Sequence, residues 1–279
     1  STAGARLRAM EDELGFELFE RKRGVKTALP TPKGQDFARL ASQMLALWNE
    51  ADQITHSQEK PALSIATVDS FLDHNLSPLY RELVSDHGFS LDIKCYPADM
   101  IYSLVSSKQA DVGFALYHTS CPHVDVVPIM EDEMVLVLPH RKDASQEAVH
   151  PSSLPPEKEL LTGSRFNSNL GWGPEFKLWH DRYINPQARP LVTASSISIL
   201  TGFLEGRDYW TIMPATTANG LKAHYPIAVL PLSPAPPGRT LYMLTHESPS
   251  CLSAKNTDIF SRYLRDYLNI HCPQGCLME

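Results

Sequence analysis

Between Arg21 and Lys33 the chain carries five cations, Arg21, Lys22, Arg23, Lys26 and Lys33, and no acid. The whole chain has a formal net charge of −7 and a pI near 5.9. Positive charge so concentrated in an acidic protein suits one chemistry, the neutralisation of a polyanion. Each phosphate met by a cation adds about 0.9 to the slope of log affinity against log salt. Local patches, not totals, decide such binding. A solvated loop has the same composition, so the surrounding elements must decide between the two.

A second set of residues stands directly after apolar, strand-like runs. Thr67, Asp69 and Ser70 end or follow LSIAT, and Asp99 and Met100 follow SLDIKCY, with Asp99 expected to cap the next helix. Gly163, Ser164 and Arg165 follow ELLT, Ser195 and Ser196 follow PLVTA, and Pro214 closes YWTIMP. Ligands of parallel α/β sheets bind outside the carboxyl ends of strands, where helix N-termini offer N–H groups. Singly, each Ser or Asp is a helix cap. Together they suit a small molecule held between two groups of strand ends. Asp69 and Asp99 disfavour an anionic ligand and Arg165 favours one, so its charge stays open.

Enzyme chemistry finds little support. There is no G-x-S-x-G elbow, P-loop, H-E-x-x-H or G-x-G-x-x-G fingerprint. Five cysteines, Cys95, Cys121, Cys251, Cys272 and Cys276, are scattered and odd in number. Cys121-Pro-His123 and His271-Cys272-Pro-Gln-Gly-Cys276 lack a matching second half, so neither a metal nor a cofactor is expected. Such cysteine usage suits a reducing cytoplasm.

The elements that position these residues can be read from periodicity. Leu7, Met10, Leu14 and Leu18 make a helical stripe, with Gly15 as the residue after a helix ending at Leu14. Thr31-Pro32 is a helix start, a hydroxyl cap followed by proline in the first turn. From there to about Gln58, Phe37, Ala41, Met44, Trp48 and Ala51 form an apolar face, thickened by Leu40 and Leu47. A lone helix would leave that face wet, so it is expected to pair with a second copy. HSQEKP, at 56–61, reads as a hinge.

Beyond it, short apolar strands alternate with helices of about ten residues, which argues for parallel sheets with crossover helices. A helix is expected from Ser77 to Asp86. VDVVPIM and EMVLVLPH are two strands with no helix between them. LPLSPAPPG, at 230–238, reads as a connection between two α/β halves. The 43% hydrophobic and 20% charged content is globular, and no apolar run reaches the 18 or more residues of a membrane span. The first residues lack the apolar core of a signal peptide.

Leu7-x-x-Met10-Glu11-x-x-Leu14-Gly15-x-x-Leu18-Phe19-x-Arg21, then a basic turn and Leu29-Pro-Thr31-Pro-x-Gly34, resembles the winged helix-turn-helix signature of LysR-type transcriptional regulators. Leu7 stands for the family's isoleucine, Met10 for a leucine, Pro30 is extra, and Gly4 replaces a usual serine. The family has further helices before this point, so only part of that unit is expected here. The order helix, linker and two α/β halves fits along the whole chain.

The resemblance implies an α/β protein: a partial winged helix-turn-helix (1–30), a linker and dimerisation helix (31–60), and a two-lobed effector domain resembling periplasmic binding proteins (61–279). Its first lobe would be 61–139 with 240–270, and its second 140–239. Ser1, Thr2, Arg6 and Arg8 would face double-stranded DNA, Arg21–Lys26 would be the wing, and Glu11 would hold a cap or ion pair. The partners implied are DNA, a small-molecule effector and further copies in a homodimer or homotetramer, with no membrane. The alternative is a solute-binding protein that carries a helical extension and does not bind DNA.

Overall fold

The computed structural model describes residues 2–20, 29–55, 61–68, 71–140, 147–162, 174–184, 192–194, 197–204, 208–222 and 224–271. Contacts divide the chain into two units, Ser1–Glu59 with Ser107–Gln109, and Lys60–Ser106 with Ala110–Glu279.

In the first unit, helix α1 (Thr2–Leu14) stops at Gly15, whose φ of 71° lies in the left-handed region that glycine enters without cost. The Gly15 N–H closes the helix on the Glu11 carbonyl at 2.9 Å. Strands β1 (Phe19–Glu20) and β2 (Leu29–Pro30) then pair antiparallel, Phe19 opposite Pro30 and Glu20 opposite Leu29. Helix α2 (Pro32–Thr55) follows.

The second unit begins with β3 (Ala62–Thr67), α3 (Phe71–Ser85), β4 (Ser90–Cys95), α4 (Ala98–Ser106), β5 (Val112–Ala115), β6 (Val124–Asp132) and β7 (Met134–Pro139). It continues with β8 (Leu160–Thr162), α5 (Pro174–Tyr183), β9 (Val192–Ala194), α6 (Ile197–Leu204), β10 (Thr211–Pro214), α7 (Ala215–Lys222), β11 (Ile227–Leu230), β12 (Arg239–His246) and α8 (Cys251–His271).

These strands make two lobes. The first lobe's sheet has the order β4–β3–β5–β12–β6, with β3, β4 and β5 parallel and β12 antiparallel to its neighbours. Leu79 and Leu83 of α3 and Phe260 and Leu264 of α8 pack with Leu63, Ile65 and Phe114 in one core. Ile101 and Val105 of α4 pack with Ala66, Ala115 and Leu244 in another. Gly113 allows that second contact: a Cβ there would lie 2.8 Å from Ile101 Cγ2 and 2.9 Å from Val105 Cγ2.

The second lobe pairs β7 antiparallel with both β10 and β11, and β8 parallel with β9. The Leu160 N–H donates to the Trp210 carbonyl at 2.8 Å, which joins the two ladders. Leu136, Phe176, Trp179 and Trp210 fill one side of this lobe, and Val137, Leu200, Leu204 and Met213 the other.

Two expectations need correction. The lobe boundary falls at Glu133, not after Pro139, because the partners of β7 among the described residues are the second-lobe strands β10 and β11; Arg239, expected in the second lobe, pairs with Asp132 of the first. Two strands in succession do not reveal that the chain changes sheets between them. Helix α3 starts at Phe71, not near Ser77, and holds Pro78 in its interior. Ser-Pro resembles a cap and first turn, but burial of Leu76, Leu79 and Leu83 outweighs the loss of one N–H bond.

Candidate functional site

The cation-rich segment is framed by a compact hydrogen-bonded turn. Glu11 is 5% exposed, and its Oε1 accepts from the backbone N–H of Leu18 at 2.7 Å and of Phe19 at 3.3 Å. A carboxylate thus sits where two turn N–H groups would otherwise be unsatisfied. Thr31 closes the other side. Its N–H donates to the Leu18 carbonyl at 2.9 Å, and its hydroxyl donates to the Glu17 carbonyl at 2.8 Å. The same hydroxyl accepts the Gly34 N–H at 2.9 Å, so Thr31 is the N-cap of α2. Gly34 is pressed against the turn, where a Cβ would come 2.0 Å from the Leu18 carbonyl oxygen. The β1–β2 rung therefore fixes where the chain leaves and returns around residues 21–28.

Arg21, Lys22, Arg23 and Lys26 lie outside the described residues, as does Ser1. Lys33 is exposed, with Nζ 5.4 Å from the centroid of the Phe16 ring. That ring meets Phe37 edge-on at 6.4 Å. A cation over a ring face gains about 0.5–1 kcal/mol at an exposed site. Thr2 opens α1, and Arg6 and Arg8 are exposed on it. Two residues apart, the arginines stand about 200° apart around the helix, so they do not share a face.

The face of α2 proposed for pairing is open within the chain. Met44 is 71% and Trp48 72% exposed, Leu40 and Leu47 are exposed beside them, and so are Ala41 and Ala51. Phe37 differs, because its partner is Phe16 of the same chain.

In the second unit, the parallel run of β3, β4 and β5 sets their carboxyl ends along one edge of the first sheet. Thr67 ends β3 there, but it is fully buried; its carbonyl accepts the Tyr96 N–H at 2.9 Å and so joins two of the loops. Asp69 and Ser70 lie outside the described residues. Asp99 is not the cap of α4. The Pro97 carbonyl accepts from Met100 N at 2.9 Å and Ile101 N at 3.3 Å, which puts the cap two residues earlier than expected. Asp99 instead lies in the first turn, where its charge complements the helix N-terminus. Asp99 and Met100 are both exposed.

Two tyrosines at this edge escaped the sequence reading. Tyr102 of α4 donates its hydroxyl to the Tyr117 carbonyl at 2.7 Å and accepts the Thr119 N–H at 3.3 Å. Burial pushes its hydroxyl above the usual value of 10. Tyr117 follows β5 and stacks on Tyr102 with centroids 5.8 Å apart. Burial, and then the nearby charge of Asp99, pushes the Tyr117 hydroxyl up as well. Its place after a strand end was the available signal, the one that singled out Thr67.

In the second lobe, Thr162 and Ala194 are rung partners at the ends of β8 and β9. Gly163, Ser164, Ser195 and Ser196 follow them in the sequence and lie outside the described residues. Pro214 is buried at the end of β10, opposite Met134.

Cys121 is half-buried, with Sγ 3.9 Å from the Tyr102 carbonyl oxygen, and His123 Nδ1 lies 3.6 Å from Glu247. Among the described residues, no group of three His, Cys, Asp or Glu could hold a metal ion. No helix among them is long and apolar enough to cross a membrane.

Residues 56–254 match the family described as LysR substrate binding domain. The HTH-type transcriptional regulator HdfR of Yersinia pestis strain Pestoides F is 23% identical over 225 residues, spanning 77% of this chain and 71% of the relative. Full-length OxyR from Pseudomonas aeruginosa superposes with a TM-score of 0.64 at 16% identity, covering all of this chain and 88% of that one. Full-length CbnR, solved in complex with its target DNA, has a TM-score of 0.63 at 16% identity, covering 95% of this chain and 88% of that one. The solved relatives share the fold.

Proposed function

This chain belongs to the LysR family by its substrate-binding region, residues 56–254, and from that premise we propose a DNA-binding transcriptional regulator whose two lobes respond to a small-molecule effector. One observation carries the reading: the family domain is preceded by a unit whose Glu11–Leu18 and Thr31–Leu18 bonds brace both ends of a cation-rich segment.

In this reading residues 1–30 are part of a winged helix-turn-helix. Arg21, Lys22, Arg23 and Lys26 form its wing, and Ser1, Thr2, Arg6, Arg8 and Lys33 are the unit's further DNA-contacting residues, Arg6 and Arg8 from different faces of α1. Phosphate contacts of this kind orient a protein on the duplex, while base contacts select the sequence. The fold likeness to CbnR, described as a LysR family regulator and seen bound to its target DNA, supports this assignment. The α2 face around Met44 and Trp48 pairs two copies. The effector lies between the lobes, near Asp69, Ser70, Asp99 and Met100 on one side and Gly163, Ser164, Ser195 and Ser196 on the other. Its action is a shift between lobe arrangements, which requires unequal affinity for them. Chemistry on a substrate is not part of this role, and its target places the protein in the cytoplasm.

The test is fluorescence anisotropy of the full chain with a duplex taken from the region upstream of its own gene, titrated with salt. Binding whose log affinity falls linearly with log salt supports the regulator. No binding even in dilute salt leaves the solute-binding alternative.

A further inference from the structure

Both connections between the lobes pass one buried carboxylate. Asp132, 2% exposed, is the last residue of β6, immediately before the chain enters the second lobe at Met134. Its rung partner is Arg239, the first residue of β12, where the chain returns. The returning segment runs close by: a Cβ on Gly238 would stand 3.0 Å from the Asp132 carbonyl oxygen.

The Asp132 carboxylate reaches across to the other lobe. Its Oδ1 accepts the Thr216 N–H at 3.1 Å, and its Oδ2 accepts the Thr216 hydroxyl at 2.6 Å. The Arg239 guanidinium lies 3.5 Å from the same Oδ2. Beside them, the Ala215 N–H donates to the Glu133 carbonyl at 2.7 Å. Thr216 lies in the first turn of α7, so a first-lobe side chain caps a second-lobe helix at the pivot. Further along, α7 lies against α3, the helix that follows the loop after β3. Hinge motions are absorbed at such crossover residues. A buried, hydrogen-bonded charge resists gradual loosening, because each lost partner is costly in a low dielectric.

We propose that Asp132 is a positioning residue for lobe movement, its carboxylate tying the first turn of α7 to the crossover and thereby setting the angle between the lobes. This rests on the reading of the two lobes as an effector-binding pair, and it assigns the stop that defines one of their arrangements. Arg239 lies 3.5 Å from the same carboxylate, and Thr216 is the contact that must break or follow when the second lobe turns.

The test measures the distance between lobes in the full chain without DNA or effector. Spin labels go on Glu82→Cys in α3 and Glu175→Cys in α5, with all five native cysteines replaced by serine. The parent is expected to give one main distance. Thr216→Val, which removes the hydroxyl but keeps the N–H, is expected to broaden or shift that distance, and Asp132→Asn to do so further. Thr216→Ser should restore the parent's distribution. A merely structural role would lower the melting temperature and leave the distances unchanged below it; that outcome for Thr216→Val overturns the proposal. Should Asp132→Asn fail to fold, Thr216→Val decides alone. Failure of the regulator reading would appear in the DNA titration and not in these distances.

Discussion

The Glu11 carboxylate holds the Leu18 backbone N–H at 2.7 Å from a buried position, so the turn after α1 is organised by a side chain from inside that helix. Glu11→Ala removes the acceptor for two N–H groups and should cost about 1.5–3 kcal/mol, the range for bonds to a charged group. Glu11→Gln keeps an acceptor and should cost less. Thermal unfolding of the isogenic set reads this directly. Equal melting temperatures for all three would mean that the bond contributes nothing.

Arg21→Ala combined with Arg23→Ala should lower DNA affinity and flatten the salt dependence. Two lost phosphate contacts reduce the log–log slope by about 1.8, twice the single-contact value. The same slope as the parent would remove these side chains from the DNA surface.

If α2 pairs two copies as proposed, Trp48→Asp should leave the chain monomeric by light scattering. At 72% exposure within its own chain, the indole contributes little to that chain's folding, so the monomer's stability should stay within about 0.5 kcal/mol. An intact dimer would move the seam off this face.

Alkali should weaken the second unit in part through Tyr102 and Tyr117. Both hydroxyls are pushed above the usual value of 10, chiefly by burial, so the folded state keeps protons that the unfolded state has already released. Stability is therefore fully present below that value and is lost as pH rises through the raised native values. Denaturant midpoints followed across this range should fall less steeply in Tyr102→Phe. A slope identical to the parent's would assign the alkaline loss to other groups.

What could be read along the chain was what short-range forces decide. The stop of α1 at Leu14 follows from Gly15 and its left-handed φ, and the start of α2 from a threonine hydroxyl three residues before the Gly34 N–H. The helical stripe of Leu7, Met10 and Leu14 and the apolar face of Met44 and Trp48 repeat at helical spacing, so those helices were legible as well. The cationic segment was legible as composition, and the strand ends as positions from which a ligand could be met.

Tertiary structure alone decided which sheet β7 joins, that Pro78 sits inside α3, that Pro97 and not Asp99 caps α4, and that Thr67 is buried. It also brought Asp132 to Thr216 and Arg239, partners 84 and 107 residues away along the chain. The physical reason is one of range. Caps and periodicities act over three or four residues, whereas sheet pairing and burial are chosen among competing long-range contacts whose energies the local pattern does not contain.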